Sequence, residues 1–429
     1  MIDVSHLIGG ALVYAFGAVA TGHGLYSIAV ESDHPSELGA SLEIRGGSAA
    51  HSRLAFVRGT RWGLSSQVSD PSCDGRPLDA LGASKWTVPA GCRRIEWKIR
   101  MRPAHDGAID ASAQASTQWS DRPLWLVSEP TSLLHVEGDN TDSELVIVTD
   151  TPLDQVGATR LSNGHWKVPA VDSPPEFYVV GKFDAHTVKI ASLSVRYVAD
   201  DAHRVAALGL ERAHRAALEY LATLLPPPRK LGDSERGLLV VWIGADKDQH
   251  RSGGAAGSRS FLANYSFGPG ASPVDRVRTF ATIAHEQFHQ LVDMTRGARP
   301  ALPVWVNESL ATYYGIEALQ KIERGDAVAE FRASFIDPSR PVTQGLIGLQ
   351  RRYDAGDASV YPLFYSQGAT LWSELDRALR AAGDPGLDAL LTDLVASTFR
   401  AHGELPAPFV AMLVERLGRE ATRILDRYL

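Results

Sequence analysis

The spacing of hydrophobic and polar residues changes once along this 429-residue chain. Up to about Tyr197 the apolar runs are short and rich in β-branched and aromatic residues. Clusters of Pro, Gly, Ser and Asp separate them, as they do around LYSIAV, ELVIVT and TVKIASLSVRYV. Runs of this kind are typical of β-strands. The first half of the chain is therefore predicted to form an antiparallel β-sandwich over residues 21–199.

From Asp200 onward, apolar residues recur at spacings of three and four, which predicts helices. A helical pattern over residues 202–225 stops at three consecutive prolines, and a strand-like run over residues 237–243 follows. After a Gly-rich turn at 252–257, the run from Ser258 to Ser266 is expected to be an edge strand. Helical patterns then continue to the C-terminus. We therefore expect a multidomain protein, β followed by α+β, whose second domain covers residues 200–429 and ends in a helical part.

The segment with the most chemical information is a predicted helix that starts after Ser272. Ser272 can cap the helix N-terminus, and Gly297 suits its end. Within this helix lies the sequence HEQFH, in which His285 and His289 stand four residues apart. Residues four apart share one face of a helix, so both imidazoles can reach one metal ion. Glu286 would then lie beside the water that such an ion holds.

A catalytic zinc site needs a third protein ligand and an open position for water. Glu308, in the run WVNESLATYY that follows His289 after a predicted turn, is the candidate for this ligand. The run is expected to begin a second helix, with Glu308 in its first turn and facing the histidines. We therefore predict one Zn²⁺ ion held by His285, His289 and Glu308. Glu286 would serve as the general base of a hydrolytic reaction.

These motifs resemble those of the gluzincin zinc metallopeptidases of the aminopeptidase-N and glycyl-aminopeptidase type. The resemblance consists of HExxH, eighteen intervening residues, a glutamate in a W-x-N-E run, and a later Y-x-x-G run that here covers residues 365–368. It implies a thermolysin-like zincin catalytic domain after the β-sandwich. It also implies that Tyr365 stabilises the oxyanion of the tetrahedral intermediate. The chain departs from the family pattern at Gln367, where the relatives usually carry Lys.

The resemblance predicts a peptidase, but the segment expected to bind substrate differs from the family. Related aminopeptidases carry a glutamate in this region that binds the free α-amine of the substrate. Here Gly253 and Gly254 lie in a run without an acidic residue, and Arg259 follows. We predict that these three residues contact a peptide or protein substrate. The alternatives to an aminopeptidase are an endopeptidase or other amide hydrolase, and a non-catalytic zinc-containing binding protein.

Charge narrows the choice of partners. The chain has 43 Lys and Arg against 50 Asp and Glu, a net charge of −7, and no basic run stands out. A charge distribution of this kind argues against nucleic-acid binding. The sequence leaves the oligomeric state open.

The N-terminal residues bear on localisation. Residues 7–20 are apolar and end in a small-x-small pattern, but no Lys or Arg precedes them. The pattern is consistent with a signal peptide over residues 1–20 and a periplasmic or secreted protein, or with a first buried strand of a cytoplasmic one. The stretch is too short for a stable membrane span. In an exported protein, Cys73 and Cys92 are expected to form one disulfide.

Overall fold

The computed structural model describes residues 24–44, 53–55, 59, 64–82, 84–104, 114–171, 173–228, 236–244, 253–265, 272–297 and 299–429. The signal peptide considered for residues 1–20 lies outside the described residues.

The strands of the described residues lie mostly in the first half of the chain. In chain order they are β1 (Gly24–Val30), β2 (Glu37–Ile44), β3 (Arg53–Ala55), β4 (Val68–Cys73), β5 (Arg76–Pro77), β6 (Asp79–Gly82), β7 (Lys85–Thr87), β8 (Arg94–Arg100), β9 (Arg102–Pro103), β10 (Thr117–Trp119), β11 (Leu124–Ser128), β12 (His135–Val136), β13 (Ser143–Thr149), β14 (Asp154–Val156), β15 (Trp166–Val168), β16 (Phe177–Gly181), β17 (Asp184–Ile190), β18 (Leu193–Ala199), β19 (Gly237–Gly244), β20 (Gly254–Ala256) and β21 (Ser260–Tyr265). The first sheet has the order β15-β13-β1-β2-β8-β4-β5 and the second β14-β16-β11-β10-β9. A small third sheet has the order β12-β3-β7-β6, and the fourth is β17-β18-β19-β21-β20.

The first two sheets pack face to face, as the strand pattern predicts. In β11, Trp125 and Val127 belong to the core shared with the first sheet, whereas Leu124 and Leu126 belong to a core on the opposite side. The sheets are not wholly antiparallel, because β1 pairs with β13 and β9 pairs with β10 in parallel. The long excursion of the chain between β1 and β13 allows the second strand to return in the same direction as the first.

The fourth sheet lies between the second sheet and the helices. In β19, Leu239 and Val241 pack toward the second sheet, and Val240 and Trp242 pack toward the helices. A continuous apolar run such as GLLVVWIG suits a strand that is buried on both faces. The chain therefore forms stacked layers of sheet, sheet, sheet and helix.

The fourth sheet begins earlier in the chain than the predicted domain boundary at residues 199/200. Its strands β17 and β18 form an antiparallel hairpin, and β18 pairs in parallel with β19. The hairpin alternates apolar and polar residues as the preceding strands do, so its sequence pattern does not reveal which sheet it joins. The change of period at Asp200 marks the start of the helices and not the start of this sheet.

The helices of the described residues fill most of the second half of the chain. They are α1 (Glu129–Ser132), α2 (Ala202–Leu208), α3 (Leu210–Leu224), α4 (Pro273–Arg296), α5 (Val304–Ile322), α6 (Asp326–Phe335), α7 (Leu346–Asp354), α8 (Tyr361–Leu363), α9 (Ala369–Ala381), α10 (Leu391–Ala396), α11 (Ala407–Leu417) and α12 (Arg419–Tyr428). Short 3₁₀ helices cover Ala358–Val360, Leu387–Leu390 and Ala401–Gly403, and a π-helix covers Phe364–Gly368. The helix predicted over residues 202–225 is divided at Gly209, whose φ of 69° is left-handed. No helix among the residues that the structure describes is both long enough and apolar enough to cross a membrane.

A disulfide joins Cys73, at the end of β4, to Cys92, which precedes β8. The two cysteines are 19 positions apart in sequence. Strands β4 and β8 are paired neighbours in the first sheet, so the bond closes the excursion through β5, β6 and β7. The disulfide expected for an exported protein is thus present.

Replacing both cysteines, Cys73→Ala with Cys92→Ala, is expected to lower the free energy of unfolding by about 2–4 kcal/mol, because the unfolded chain then loses a cross-link. Urea unfolding followed by tryptophan fluorescence measures the change. Wild-type protein in a reducing agent is the matched control and is expected to lose stability by a similar amount. If neither sample shifted its unfolding midpoint, the disulfide would not stabilise the first sheet.

Candidate metal centre

The helix that carries HEQFH has the ends that the sequence predicts. Helix α4 starts at Pro273, and Ser272 and Asp275 form a capping box in which each side chain bonds the other's backbone N–H. This arrangement satisfies amide groups that the first turn of a helix leaves without partners. The helix ends at Arg296, and Gly297 follows it with positive φ. His285 and His289 therefore lie two turns or more from either end, on a stretch of continuous helix.

The second helix starts slightly earlier than predicted. Helix α5 begins at Val304, directly after Pro303, so Glu308 lies in its second turn and not in its first. Proline fixes φ and is compatible with the position before a helix, which explains the early start. Helix α5 packs against α4, and Gly315 touches the backbone of His285, where a Cβ atom would lie 3.2 Å from the amide nitrogen. The two helices therefore approach closely where the ligands meet.

The three predicted ligands converge on one point. His285 Nε2 lies 3.2 Å from Glu308 Oε2 and 3.0 Å from His289 Nε2. His289 Nε2 lies 3.5 Å from the same carboxylate oxygen. Ligands bound at about 2.0–2.2 Å to a tetrahedral ion lie roughly 3.3–3.6 Å apart. The spacing and the two-nitrogen, one-oxygen donor set therefore fit a zinc ion.

The charges of these ligands depend on one another. Burial opposes the charge on Glu308, but His289 and His285 outweigh it and hold the pKa of Glu308 well below its usual value. Burial also opposes a charge on His289, yet the Glu308 carboxylate outweighs it and raises the pKa of His289 to about 9. The carboxylate is therefore ionised at neutral pH, as a metal ligand must be, and a cation that binds here displaces the proton of His289.

Thr312 lies beside Nδ1 of His285, the ring nitrogen that faces away from the other two ligands. Its hydroxyl donates a hydrogen bond to the Glu308 carbonyl oxygen at 2.8 Å and lies 3.5 Å from Nδ1 of His285. Because its proton is committed to that carbonyl, the hydroxyl can only accept from an Nδ1–H group. The lone pair of His285 then lies on Nε2, the atom that faces the other ligands.

Glu286 lies between the metal-binding helix and strand β20. Its carboxylate interacts electrostatically with His285, His289 and Glu308 and accepts a hydrogen bond from the Ala256 N–H. Burial raises the pKa of Glu286, which makes the carboxylate a better proton acceptor. The predicted general base is therefore next to the predicted ligands.

Among the described residues, strand β20 forms one edge of the fourth sheet, which corrects the prediction that the run 258–266 supplies this edge. Strand β21 from this run is internal, between β19 and β20. A short apolar run predicts a strand, but it does not reveal whether other strands pair with it on one side or on both. Here the Gly-rich segment that was predicted as a turn forms β20, which pairs with the second side of β21. The Gly253 carbonyl accepts a hydrogen bond from the Asn264 N–H, and the Gly257 N–H donates one to the Ser260 carbonyl, so both groups face β21. The main-chain groups of Gly254 and Ala256 consequently face the open edge.

Of the residues predicted to bind substrate, Gly253 and Gly254 lie at this edge and Arg259 does not. A Cβ atom on Gly254 would lie 2.7 Å from Cγ and 3.0 Å from Oε1 of Glu286, so the strand and the carboxylate are in close contact. Arg259 lies in the turn after β20, where it interacts electrostatically with the buried Glu176. Its contact with substrate stays a prediction.

Two tyrosines adjoin the ligands. The ring of Tyr365 lies 5.6 Å from the ring of His285, centroid to centroid, and burial raises the pKa of its hydroxyl. The hydroxyl of Tyr361 donates a hydrogen bond to Oε1 of Glu308 at 2.8 Å. Sequence reasoning missed Tyr361, although its spacing of four from Tyr365 was a signal that both could share one helical face. The π-helix that starts at Phe364 contains Tyr365, and π-helices occur frequently at functional sites.

This arrangement of sheets and helices recurs in solved structures of aminopeptidases and M1 metallopeptidases. An aminopeptidase N family protein from Idiomarina loihiensis matches with a TM-score of 0.62 at 14% sequence identity, over 87% of this chain and 70% of the other. A glutamate-to-alanine mutant of the M1 zinc metallopeptidase from Deinococcus radiodurans matches with a TM-score of 0.51 at 16% identity, over 95% of both chains. The chain has the fold of the M1 zinc metallopeptidases.

The chain also matches part of a larger protein. Aminopeptidase A from Legionella pneumophila, in complex with aspartic acid, matches with a TM-score of 0.51 at 12% identity, over 95% of this chain and 49% of the other. No protein-family model and no curated protein matches the sequence. The family resemblance inferred from HEQFH, Glu308 and the Y-x-x-G run is thus confirmed at the level of fold, with sheets in the first half of the chain and helices in the second.

Gly254→Ala is expected to displace the Glu286 side chain, because a methyl group cannot fit beside its Cγ atom. A general base moved by about 1 Å is expected to cost on the order of 100-fold in the rate of the predicted hydrolysis. Steady-state peptide hydrolysis measures this loss, and zinc content is expected to stay unchanged. Gly82→Ala, where nothing lies within 4 Å of the added methyl group, is the control. Full activity in Gly254→Ala would contradict the close placement of β20 and Glu286.

Proposed function

We propose that this chain is a zinc-dependent metallopeptidase that hydrolyses peptide bonds. The observation that carries the proposal is the convergence of His285, His289 and Glu308 next to a half-buried Glu286 at a strand edge. A structural zinc site is closed by four protein ligands, whereas this cluster of described residues offers three. Three ligands leave a position for water, which favours catalysis over a non-catalytic zinc-containing binding protein.

Each residue of the centre has a role in this hydrolysis. A zinc ion held by the three ligands would lower the pKa of water to about 7 and polarise the scissile carbonyl. Glu286 takes the proton of the attacking water and delivers it to the leaving amine. Tyr365 stays protonated, because burial raises its pKa, and its hydroxyl donates a hydrogen bond to the developing oxyanion.

The substrate binds as an added strand. The main-chain groups of Gly254 and the carbonyl group of Ala256 face the open edge of β20 and can pair with an extended peptide backbone, while the Ala256 N–H bonds the Glu286 carboxylate. The close contact between Gly254 and Glu286 would hold the scissile bond beside the general base. On these grounds, and on the resemblance of the motifs, we assign the catalytic part of the chain to the thermolysin-like zincins.

We infer further that a free α-amine is not required of the substrate. The described residues 253–260 carry no acidic side chain that could bind an ammonium group. This reasoning favours an endopeptidase or another amide hydrolase over a strict aminopeptidase.

We also propose that the protein works in an oxidising compartment, in the periplasm or outside the cell. The Cys73–Cys92 disulfide supports this localisation, because disulfides persist in oxidising environments and are rare in the cytosol. The apolar residues 7–20 are consistent with export.

Glu286→Gln tests the chemistry directly, because glutamine keeps the shape of the side chain and removes the base. Turnover of a peptide is expected to fall by roughly 10²- to 10⁴-fold while the protein retains about one zinc per chain. Metal analysis and steady-state kinetics on the same sample separate the two effects. Glu308→Gln is the control that is expected to lose zinc. Wild-type protein with less than about one-third equivalent of zinc, after zinc-replete purification, would count against the proposal.

Blocking the substrate's amine tests exopeptidase specificity. A peptide and its N-acetylated twin of the same sequence are expected to have similar kcat/KM values, because no described carboxylate of residues 253–260 selects for the amine. A preference for the free amine beyond roughly 100-fold, about 2.7 kcal/mol, would restore the aminopeptidase assignment.

A further inference from the structure

The two oxygens of the Glu308 carboxylate have different neighbours. Oε2 faces both imidazoles, at 3.2 Å from His285 Nε2 and 3.5 Å from His289 Nε2. Oε1 accepts a hydrogen bond from the Tyr361 hydroxyl at 2.8 Å. One oxygen is therefore directed to the metal position, and the other is occupied by a phenol.

This asymmetry affects how the carboxylate can bind a cation. A carboxylate has two oxygens that can each accept hydrogen bonds or bind metal, so an unrestrained glutamate can offer one oxygen or both. Neighbouring groups that hydrogen-bond a ligand orient it and tune its affinity for the metal. Resting on the proposed zinc function, we propose that Tyr361 is a positioning residue that limits Glu308 to one metal-binding oxygen, Oε2.

Tyr361 is held in place independently of Glu308. It begins α8, directly after the 3₁₀ helix Ala358–Val360, and Pro362 follows it. Its ring lies 5.6 Å from that of Tyr353 and 6.0 Å from that of Phe364, centroid to centroid. A phenol fixed by its ring contacts loses little further freedom when its hydroxyl bonds the carboxylate.

The two tyrosines of the site then have separate tasks. Their rings lie 5.4 Å apart, centroid to centroid, and Tyr361 makes the 2.8 Å hydrogen bond to Oε1 of Glu308. Tyr365, assigned to the oxyanion, acts on the substrate, whereas Tyr361 acts on the metal through Glu308. Removing each hydroxyl should consequently alter different measured quantities.

The experiment compares Tyr361→Phe, Tyr365→Phe and Tyr353→Phe with the wild-type protein. Zinc affinity is measured by competition with a chelator, and the visible spectrum of the Co²⁺-substituted protein reports the coordination of the metal. Tyr361→Phe is expected to weaken zinc binding by about 10- to 100-fold and to change the Co²⁺ spectrum toward higher coordination, because Oε1 is released. Tyr365→Phe is expected to lower kcat at unchanged zinc affinity, and Tyr353→Phe controls for the loss of a hydroxyl from the same aromatic group.

A further variant distinguishes positioning from folding. A chain with 4-aminophenylalanine at position 361 keeps the ring and an N–H donor, and it is expected to restore the wild-type zinc affinity and Co²⁺ spectrum. A Tyr361→Phe protein with zinc affinity within about twofold of wild type and an unchanged spectrum would overturn the proposal. The proposal would also be overturned if the 4-aminophenylalanine variant folded but did not regain the wild-type zinc affinity and Co²⁺ spectrum. Wild-type protein that binds no zinc would instead contradict the proposed function.

Discussion

The metal centre depends on how closely three segments of the chain can approach one another. Helix α4 carries the histidines, helix α5 carries Glu308, and the π-helix at Phe364–Gly368 carries Tyr365, which is proposed to stabilise the oxyanion. Gly315 brings α5 against the backbone of His285, and Gly368 brings the π-helix against Ser309, where a Cβ atom would overlap the serine side chain. Side chains at either glycine would push the segments apart. Because the ligand atoms lie only 3.0–3.5 Å from one another, even a small separation would open the centre.

The helical C-terminal part holds this close approach in place from the far side. Trp372 of α9 donates a hydrogen bond from its indole N–H to Ser309 Oγ at 2.7 Å, and it stacks on Trp305 at 5.8 Å between ring centroids. Both indoles are fully buried, and the Trp305 indole N–H is bonded to the carbonyl of Gly403. Because both buried indole N–H groups have hydrogen-bond acceptors, neither is left unpaired, and each bond fixes the orientation of its ring. The last helices therefore serve as the support of helix α5.

The sheets of the first half of the chain contribute to the site by holding the backbone of the hairpin formed by β20 and β21. Two hydrogen bonds join this hairpin to the start of β16: the Ser258 N–H in the turn donates to the Pro175 carbonyl, and the Phe177 N–H donates to Ser260 Oγ at the start of β21. Gly257 has no room for a side chain against that same Pro175 carbonyl. The open edge beside Glu286 is thus anchored by the sandwich. Both halves of the chain therefore help to position β20, the strand beside which a substrate is proposed to bind.

The sequence predicted the parts of the site that rest on local periodicity and could not predict those that rest on tertiary contacts. His285 and His289 follow from a spacing of four within a capped helix. By contrast, strand order is a non-local property, so the run 258–266 could be recognised as a strand but not as an internal one. Tyr361 falls between these cases. Its spacing of four from Tyr365 is compatible with one shared helical face, but only the close packing of the π-helix on α5 brings its hydroxyl to Oε1 of Glu308. A motif thus identifies the atoms that bind a metal, whereas the groups that orient those atoms are found only once the segments are packed together.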